Sequence, residues 1–387
     1  MNPESEVPIE KVSDLYAAQI SANMDEKIGD MYRLLQDNKL PRYGSTYRIL
    51  EMGTGGGDSF VMLKYMLSNR NDIMFIGADY IGIFARQFRN KVGSPAVIAE
   101  SGNLPFGDHT LSGINASAIF HEVSTYGVRD RCGQIKRGSA ALVSTMQEMA
   151  RTLLPDGVLT YRDVHCPENQ TEIKRVVYYQ KSWHLFVKKY LPRLIEIYEK
   201  VITPVSGRIH TEQRGENLCI EAPIQIHREI QRHYITFRDY FRRVVAPVVG
   251  IDVTHEEWID QSAGVKRHTV IFSSMPRVLR ISIESSTYDG LTDALITEFF
   301  ETPALDDWFK REGMELYTLL NLRELVALAE HASVKTAHGT YRLMHLVGSA
   351  HTSSRCYYER YLKQVIDQPE LEAKQHLQFI NTQQQGG

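Results

Sequence analysis

Ile49-Leu50-Glu51-Met52-Gly53-Thr54-Gly55-Gly56-Gly57 is the stretch that decides the fold. Tyr47 to Met52 reads as a short strand that runs directly into glycines, and Phe60 to Leu67 beyond them is apolar and helical. Glycine is needed where a backbone takes positive φ or approaches a ligand closely, and the helix that follows offers unpaired N–H groups at its first turn. Strand, glycine turn and helix together make a nucleotide-binding corner of an α/β sheet. A dinucleotide site would follow GxGxxG. Counted from Gly53, the third glycine of that pattern falls on Asp58.

Working outward, the same alternation repeats. Asp72 to Asp79 is a second buried strand, Ile83 to Val92 a helix, Ala96 to Ala99 a third strand and Leu111 to Phe120 a fourth. Gly138 to Leu154 is a long amphipathic helix and Gly157 to Asp163 a fifth strand. Strands alternating with helices predict a parallel sheet covered on both faces. The alternation stops near Cys166. Glu172 to Val201 is strongly helical, with Pro192 positioned to kink it. Residues 203–230 read as loop and short strands, and Ile235 to Val245 as a helix. Val248 to Trp258 and Val265 to Ser273 read as two strands joined by a polar turn, which we take as the antiparallel pair that closes the sheet. Ahead of the core, Leu15 to Leu35 has helical spacing, broken at Leu40-Pro41-Arg42-Tyr43-Gly44. The expected divisions are a helical segment over 1–45, a core over 46–166, a helical cap inserted over 167–245, closing strands over 246–274, and a helical C-terminal extension over 275–387. Leu316 to Ala332 is the clearest helix of that extension. Arg355 to Leu362 could cover the active site or form a homodimer contact.

The glycine run matches ExGxGxG through Glu51, Gly53, Gly55 and Gly57, and by it the chain resembles the class I S-adenosylmethionine (SAM)-dependent methyltransferases. Glu100-Ser101-Gly102-Asn103-Leu104-Pro105-Phe106 is similar to that family's adenine segment, with Glu where Asp is commoner. Phe120-His121-Glu122-Val123 and Leu153-Leu154-Pro155-Asp156-Gly157 also resemble family segments, and the likeness covers about residues 46–166. It implies a Rossmann-like, seven-stranded α/β sheet with SAM as cofactor. The implied cofactor residues are Glu51, Gly53, Thr54, Gly55 and Gly57 at the turn, and Asp79 with Tyr80 at the end of the second strand for the ribose. Glu100 and Ser101 would meet the adenine, and His121 would lie beside the cofactor.

Methyl transfer is an in-line displacement in which the protein supplies position and electrostatics, and an oxygen or nitrogen acceptor can need a base. In an open α/β sheet the ligand lies beyond the carboxyl ends of the strands. That places His121, Glu122 and Tyr126 after the fourth strand, and Asp163 and His165 after the fifth, near the methyl. His121 and Asp163 are the catalytic candidates. The imidazole titrates near neutrality and can act as base or orienting residue, or simply pack against the cofactor. Asp163 can anchor an acceptor amine or hydroxyl, or instead pair with Arg162 or cap a loop. Glu122, Tyr126 and His165 are candidate acceptor contacts. Adjacent His165 and Cys166 suit metal ligation poorly, and no metal site is expected.

The inserted segment sets the expectations for substrate. Residues 171–245 hold 14 Lys or Arg against 8 Asp or Glu, interleaved with aromatics such as Tyr178, Trp183, Phe186, Tyr190 and Tyr234. That mixture suits RNA or a phosphorylated planar acceptor. It equally suits a lid with aromatics packed inside and cations in water. Arg228, Arg232 and His233 concentrate donors for a phosphate or carboxylate. Overall, 44 Lys and Arg against 47 Asp and Glu leave a net charge of −3, which exerts no global pull on nucleic acid or membrane. No run of about 18 apolar residues predicts a membrane span. Four cysteines without a CxxC pair, and an acidic, polar Met1 to Lys11, fit a cytoplasmic setting. The leading expectation is methyl transfer from SAM to an oxygen or nitrogen of a small molecule or peptide. An RNA or nucleotide acceptor is the alternative. From another class comes a non-catalytic SAM-binding scaffold, which would keep Glu51, Asp79 and Glu100 but be indifferent to His121 and Asp163.

Overall fold

The computed structural model describes residues 24–201, 206–241, 251–260, 265–274, 277–284, 292–293, 296–297, 300–301, 303–317, 319–352, 356–370 and 373–384. The chain divides into two units. One holds residues up to Glu168 with Glu315–Ser353 and everything from Ala373; the other holds Asn169–Met314 and Ser354–Glu372.

In the first unit, α1 (Met24–Gln36) precedes β1 (Tyr47–Met52), α2 (Asp58–Met66), β2 (Ile73–Asp79), α3 (Gly82–Val92), β3 (Ala96–Ile98), β4 (Leu111–Ser117) and α4 (Phe120–Tyr126). Then come α5 (Ser139–Thr152), β5 (Leu153–Val164), α6 (Leu322–His331), β6 (Val334–Thr336), β7 (Gly339–Thr352) and β8 (Ala373–Gln383). The sheet order is β6-β7-β8-β5-β4-β1-β2-β3. The strands from β3 to β5 run parallel, as in a Rossmann-like sheet, while β8 runs antiparallel to β5 and β7 antiparallel to β8.

Both faces of the sheet are covered, so the central strands read as nearly continuous apolar runs rather than as alternations. On one face Ile28, Met31, Leu34 and Leu35 of α1 join Tyr47, Ile49, Phe60, Leu63, Phe75 and Phe88 in one core. On the other, Leu142, Met146 and Met149 of α5 and Leu325 and Ala329 of α6 pack with Leu50, Ile114 and Leu159. The connections leave β1 toward β2 on one side and β4 toward β5 on the other. The crevice beyond the carboxyl ends of β1 and β4 is therefore the topological switch point, where ligands of such sheets bind.

Three expectations are corrected. The pair at 251–260 and 265–274 does not close the central sheet; it forms a separate antiparallel sheet with Arg277–Glu284. The closing pair is β7 and β8, from the stretch expected to be helical. Their signal is a period-two alternation, with Leu377 and Phe379 both buried on β8. A hairpin pattern fixes pairing within itself but not the sheet it joins. The strand count is eight rather than seven, because β6 folds back on β7 through a tight turn at residues 336–339. The helix expected from Leu316 begins at Leu322, where Asn321 caps it in a reciprocal box with Glu324. Of the N-terminal helix, Met24–Gln36 is confirmed and the part before residue 24 lies outside the described residues.

The second unit, taken by itself, is built on an aromatic core. Ile173–Tyr178, Asn217–Pro223 and His210–Arg214 form an antiparallel sheet beside helices Lys181–Val201 and Ile224–Tyr240. Trp183 and Tyr234 rings lie 3.8 Å apart, Phe186 and Phe237 5.4 Å, and Tyr190 and Trp308 5.6 Å. Buried Asp293 accepts from Tyr234 at 2.5 Å, Tyr361 at 2.7 Å, Ser182 at 3.1 Å and Arg238 at 3.2 Å. The expected cap over 167–245 is thus part of a larger unit that runs to residue 314 and takes in 354–372. Among the described residues, no helix is long and apolar enough to cross a membrane.

Candidate cofactor and active site

The glycine turn takes the shape its sequence requires. Gly53, Gly55 and Gly57 have φ of 70°, 56° and 82°, values that L side chains rarely adopt. A Cβ on Gly53 would also overlap Cγ2 of Ile119, which precedes α4. Asp79, at the end of β2, holds the turn from the side. Its Oδ2 accepts from Thr54 Oγ1 and Gly55 N, both at 3.1 Å, and its Oδ1 accepts from Ile81 N at 2.8 Å. Among the described residues, three of the four acceptor positions on this carboxylate are used, which leaves one on Oδ1. Burial raises the Asp79 carboxyl to about 6 against these N–H and O–H donors, with the charge of Glu122 adding to the rise.

Glu51 sits at the end of β1, 4% exposed. One carboxyl oxygen accepts from Ser59 of α2, while Oε2 is buried without a hydrogen-bond partner among the described residues. Burial pushes this carboxyl up to about 8, against the opposing pull of Ser59 and of the Lys27 charge.

The adenine-like segment is held from behind by α5. Leu104 N donates to Glu148 Oε1 at 2.8 Å. Arg151 donates to the carbonyls of Phe106 at 2.8 Å and Leu104 at 3.1 Å, and to Asp108 at 2.8 Å. Sequence reading missed Glu148 and Arg151, although a Glu and an Arg three apart on a helix share a face. Ser101 Oγ pairs with Thr145 Oγ1 at 2.9 Å. Glu100 accepts from Arg129 N and lies 3.6 Å from the Arg129 guanidinium. Tyr80 is half-buried just beyond Asp79.

His121 and Asp163 are brought together. Asp163 Oδ2 accepts from Phe120 N at 3.0 Å and His121 N at 3.2 Å, which caps α4. Its Oδ1 accepts from Val164 N and from His121 Nδ1, both at 2.8 Å. The four acceptor positions are filled, which favours capping and positioning over the role of an anchor for an acceptor. Burial would raise its carboxyl, yet the His121 ring and the N–H donors bring it below the ordinary range. On the other side, His121 Nε2 faces Glu315 Oε2 at 3.6 Å. Burial would lower the ring's pKa; Asp163 and Glu315 outweigh it and hold it at about 10. A ring held in its protonated form favours the orienting role over that of a base.

Glu315 and Tyr317 escaped the sequence reading because nothing local marks them. The Tyr317 ring lies 4.6 Å from that of His121, and its hydroxyl donates to Glu315 Oε2 at 2.6 Å. Leu316 N donates to Thr125 Oγ1 at 2.9 Å, which ties this segment to α4. Tyr126 and His165 are both buried, the latter with its ring 5.5 Å from Tyr161.

Arg228, Arg232 and His233 lie in the second unit, on the helix Ile224–Tyr240. His233 is fully buried: its Nδ1 is 2.8 Å from Glu229 O, and its ring packs near Tyr190 and Trp308. It is a core residue, not a donor presented to an anion. Trp183, Phe186, Tyr190 and Tyr234 are likewise fully buried, so these aromatics form no stacking platform for bases, and the support they lent to RNA is withdrawn.

No protein-family model matches the sequence, and no curated protein matches it either. Solved structures do. The DszA carbon methyltransferase is 16% identical over 34% of this chain and 32% of its own, at a TM-score of 0.27. A SAM-dependent methyltransferase from Aquifex aeolicus is 16% identical over 55% of this chain and 100% of its own, at 0.29. The CurJ carbon methyltransferase is 16% identical over 58% of this chain and 61% of its own, at 0.32. This chain thus spans about a third of the DszA domain's structure and under two thirds of CurJ's. At these values the likenesses decide neither substrate nor reaction.

Proposed function

We propose that this chain is a SAM-dependent methyltransferase that acts on an oxygen or nitrogen of a small molecule or peptide. The observation that carries the reading is Glu51 Oε2, a buried carboxyl oxygen without a hydrogen-bond partner among the described residues, set beside a turn of three positive-φ glycines. A buried acceptor left unsatisfied is costly, and a ligand that brings a cationic N–H group would satisfy it. The α-ammonium of SAM is such a group, so the residues present fit the cofactor. Gly53, Thr54, Gly55 and Gly57 would let its chain approach the backbone, and the open position on Asp79 Oδ1 would accept one ribose hydroxyl. Tyr80, Glu100 and Ser101 would flank the nucleoside, and His121 would lie beside it.

When bound, the cofactor supplies an electrophilic methyl on a positively charged sulfur. The chain's own residues orient and surround it. Asp163 fixes the start of α4 and the ring of His121. Glu122 and Glu315 add negative charge around that ring, which favours a cationic or hydrogen-bond-donating acceptor. A small acceptor is favoured over RNA by the burial of the aromatics in the second unit.

The test is calorimetric titration of the purified chain with SAM and, separately, with NAD. Micromolar binding of SAM alone supports the reading. Binding of NAD alone would overturn it, as would binding of neither.

A further inference from the structure

We propose that His121, Glu122 and Glu315 form a site for a divalent transition-metal cation. Each offers one ligand atom, and the three atoms all lie within 4.8 Å of one another. A cation about 2.0–2.2 Å from nitrogen and oxygen donors fits between ligands so spaced. No sequence spacing announces the set, since Glu315 lies far along the chain from its two companions.

An independent observation concerns the far side of the imidazole. His121 Nδ1 is 2.8 Å from Asp163 Oδ1, and Asp163 is fixed in turn by the backbone N–H groups of Phe120, His121 and Val164. A carboxylate behind the ring is the arrangement that orients a metal-bound histidine: it keeps the N–H on Nδ1 and turns the Nε2 lone pair toward the cation. Glu315 is positioned as well, by the Tyr317 hydroxyl at 2.6 Å, and the Tyr317 ring lies against the imidazole. His121 and Glu315 are therefore preorganised by neighbours that are not ligands themselves.

The donor chemistry selects the ion. One imidazole and two carboxylates carry two negative charges, which a dication neutralises. Imidazole favours Zn2+, Fe2+ or Mn2+ over Ca2+, which prefers oxygen alone. Three protein ligands leave at least one coordination position open for an oxygen of a bound molecule. The site stands on this geometry and does not depend on the methyltransferase reading.

The experiment uses the full chain, stripped with chelator and dialysed, then titrated with Co2+ by visible absorption and with Zn2+ and Mn2+ by calorimetry. One saturating equivalent is expected, with d–d bands from Co2+. Glu315→Gln and Glu122→Gln should each weaken binding at least tenfold, and Asp163→Asn by about 10–100-fold through the ring it orients. Thermal melts confirm that each variant is folded; should Glu315→Gln fail, the less buried Glu122→Gln carries the test. SAM titrations of the same stripped samples read the cofactor proposal separately. Absence of a saturable equivalent, or affinity unchanged in the folded glutamine variants, overturns the site.

Discussion

Asp163 caps the first turn of α4 and holds the ring of His121 with the same carboxylate. One residue at the end of β5 thus sets both the direction of a helix and the orientation of a side chain on it. Asp163→Asn keeps the shape but replaces an acceptor-only group with one that also donates. A buried charge pair broken on one side costs about 3–5 kcal/mol. Urea denaturation of the metal-free protein at neutral pH should show that loss. A variant within 1 kcal/mol of wild type would mean the pair is not formed.

Glu51 predicts a pH dependence. Its carboxyl is raised from 4.5 to about 8 by burial, so between those values the folded chain holds a proton that the unfolded chain releases. Its contribution to stability is therefore present below about 4.5 and is lost as pH rises through 8. Denaturation midpoints should fall over that interval for wild type and fall less for Glu51→Gln.

The same residue predicts proton release on cofactor binding. At pH 7 a cationic ligand on Glu51 favours the ionised form, so SAM should expel a proton. Calorimetry in buffers of different ionisation enthalpy measures it. Glu51→Gln should abolish the release and weaken binding; equal heats in all buffers for wild type would remove Glu51 from the site.

Asp79→Ala should weaken SAM binding by about 2–4 kcal/mol, as charge-assisted hydrogen bonds are lost. Because Asp79 Oδ2 also accepts from Thr54 and Gly55, part of that loss comes from loosening the glycine turn. Thr54→Val removes one of these bonds without touching a ribose contact. It should reproduce a small fraction of the effect. An Asp79→Ala affinity equal to wild type would take Asp79 out of the site.

Gly53→Ala should destabilise by about 1–3 kcal/mol, from positive φ and from the overlap with Ile119. Adding Ile119→Ala should relieve the overlap but not the backbone strain. A double-mutant cycle of melting free energies separates the two. Strict additivity would show that Ile119 does not press on this turn.

The first five strands and the turn were legible because parallel strands buried on both faces leave continuous apolar runs, and because positive φ demands glycine at 53, 55 and 57. The closing strands were not. β7 and β8 carry many polar residues, and the pairing of β8 with β5 joins parts of the chain far apart in sequence. Similarly, His121 and Asp163 were identified by position, but their roles depend on Glu315. That residue reaches them only through the fold, where it adds to the larger effect of Asp163 on the ring. The basic and aromatic content of residues 171–245 fitted two readings, and only burial separates a packed interior from a surface for bases.

β8 lies between β5 and β7 in space, yet of the described strands it comes last along the chain. Until residues 373–383 leave the ribosome, β5 presents an open hydrogen-bonding edge at what will be the middle of the sheet. Exposed edges of that kind recruit other chains. A stop before Ala373 would therefore leave a template for aggregation instead of a slightly smaller sheet.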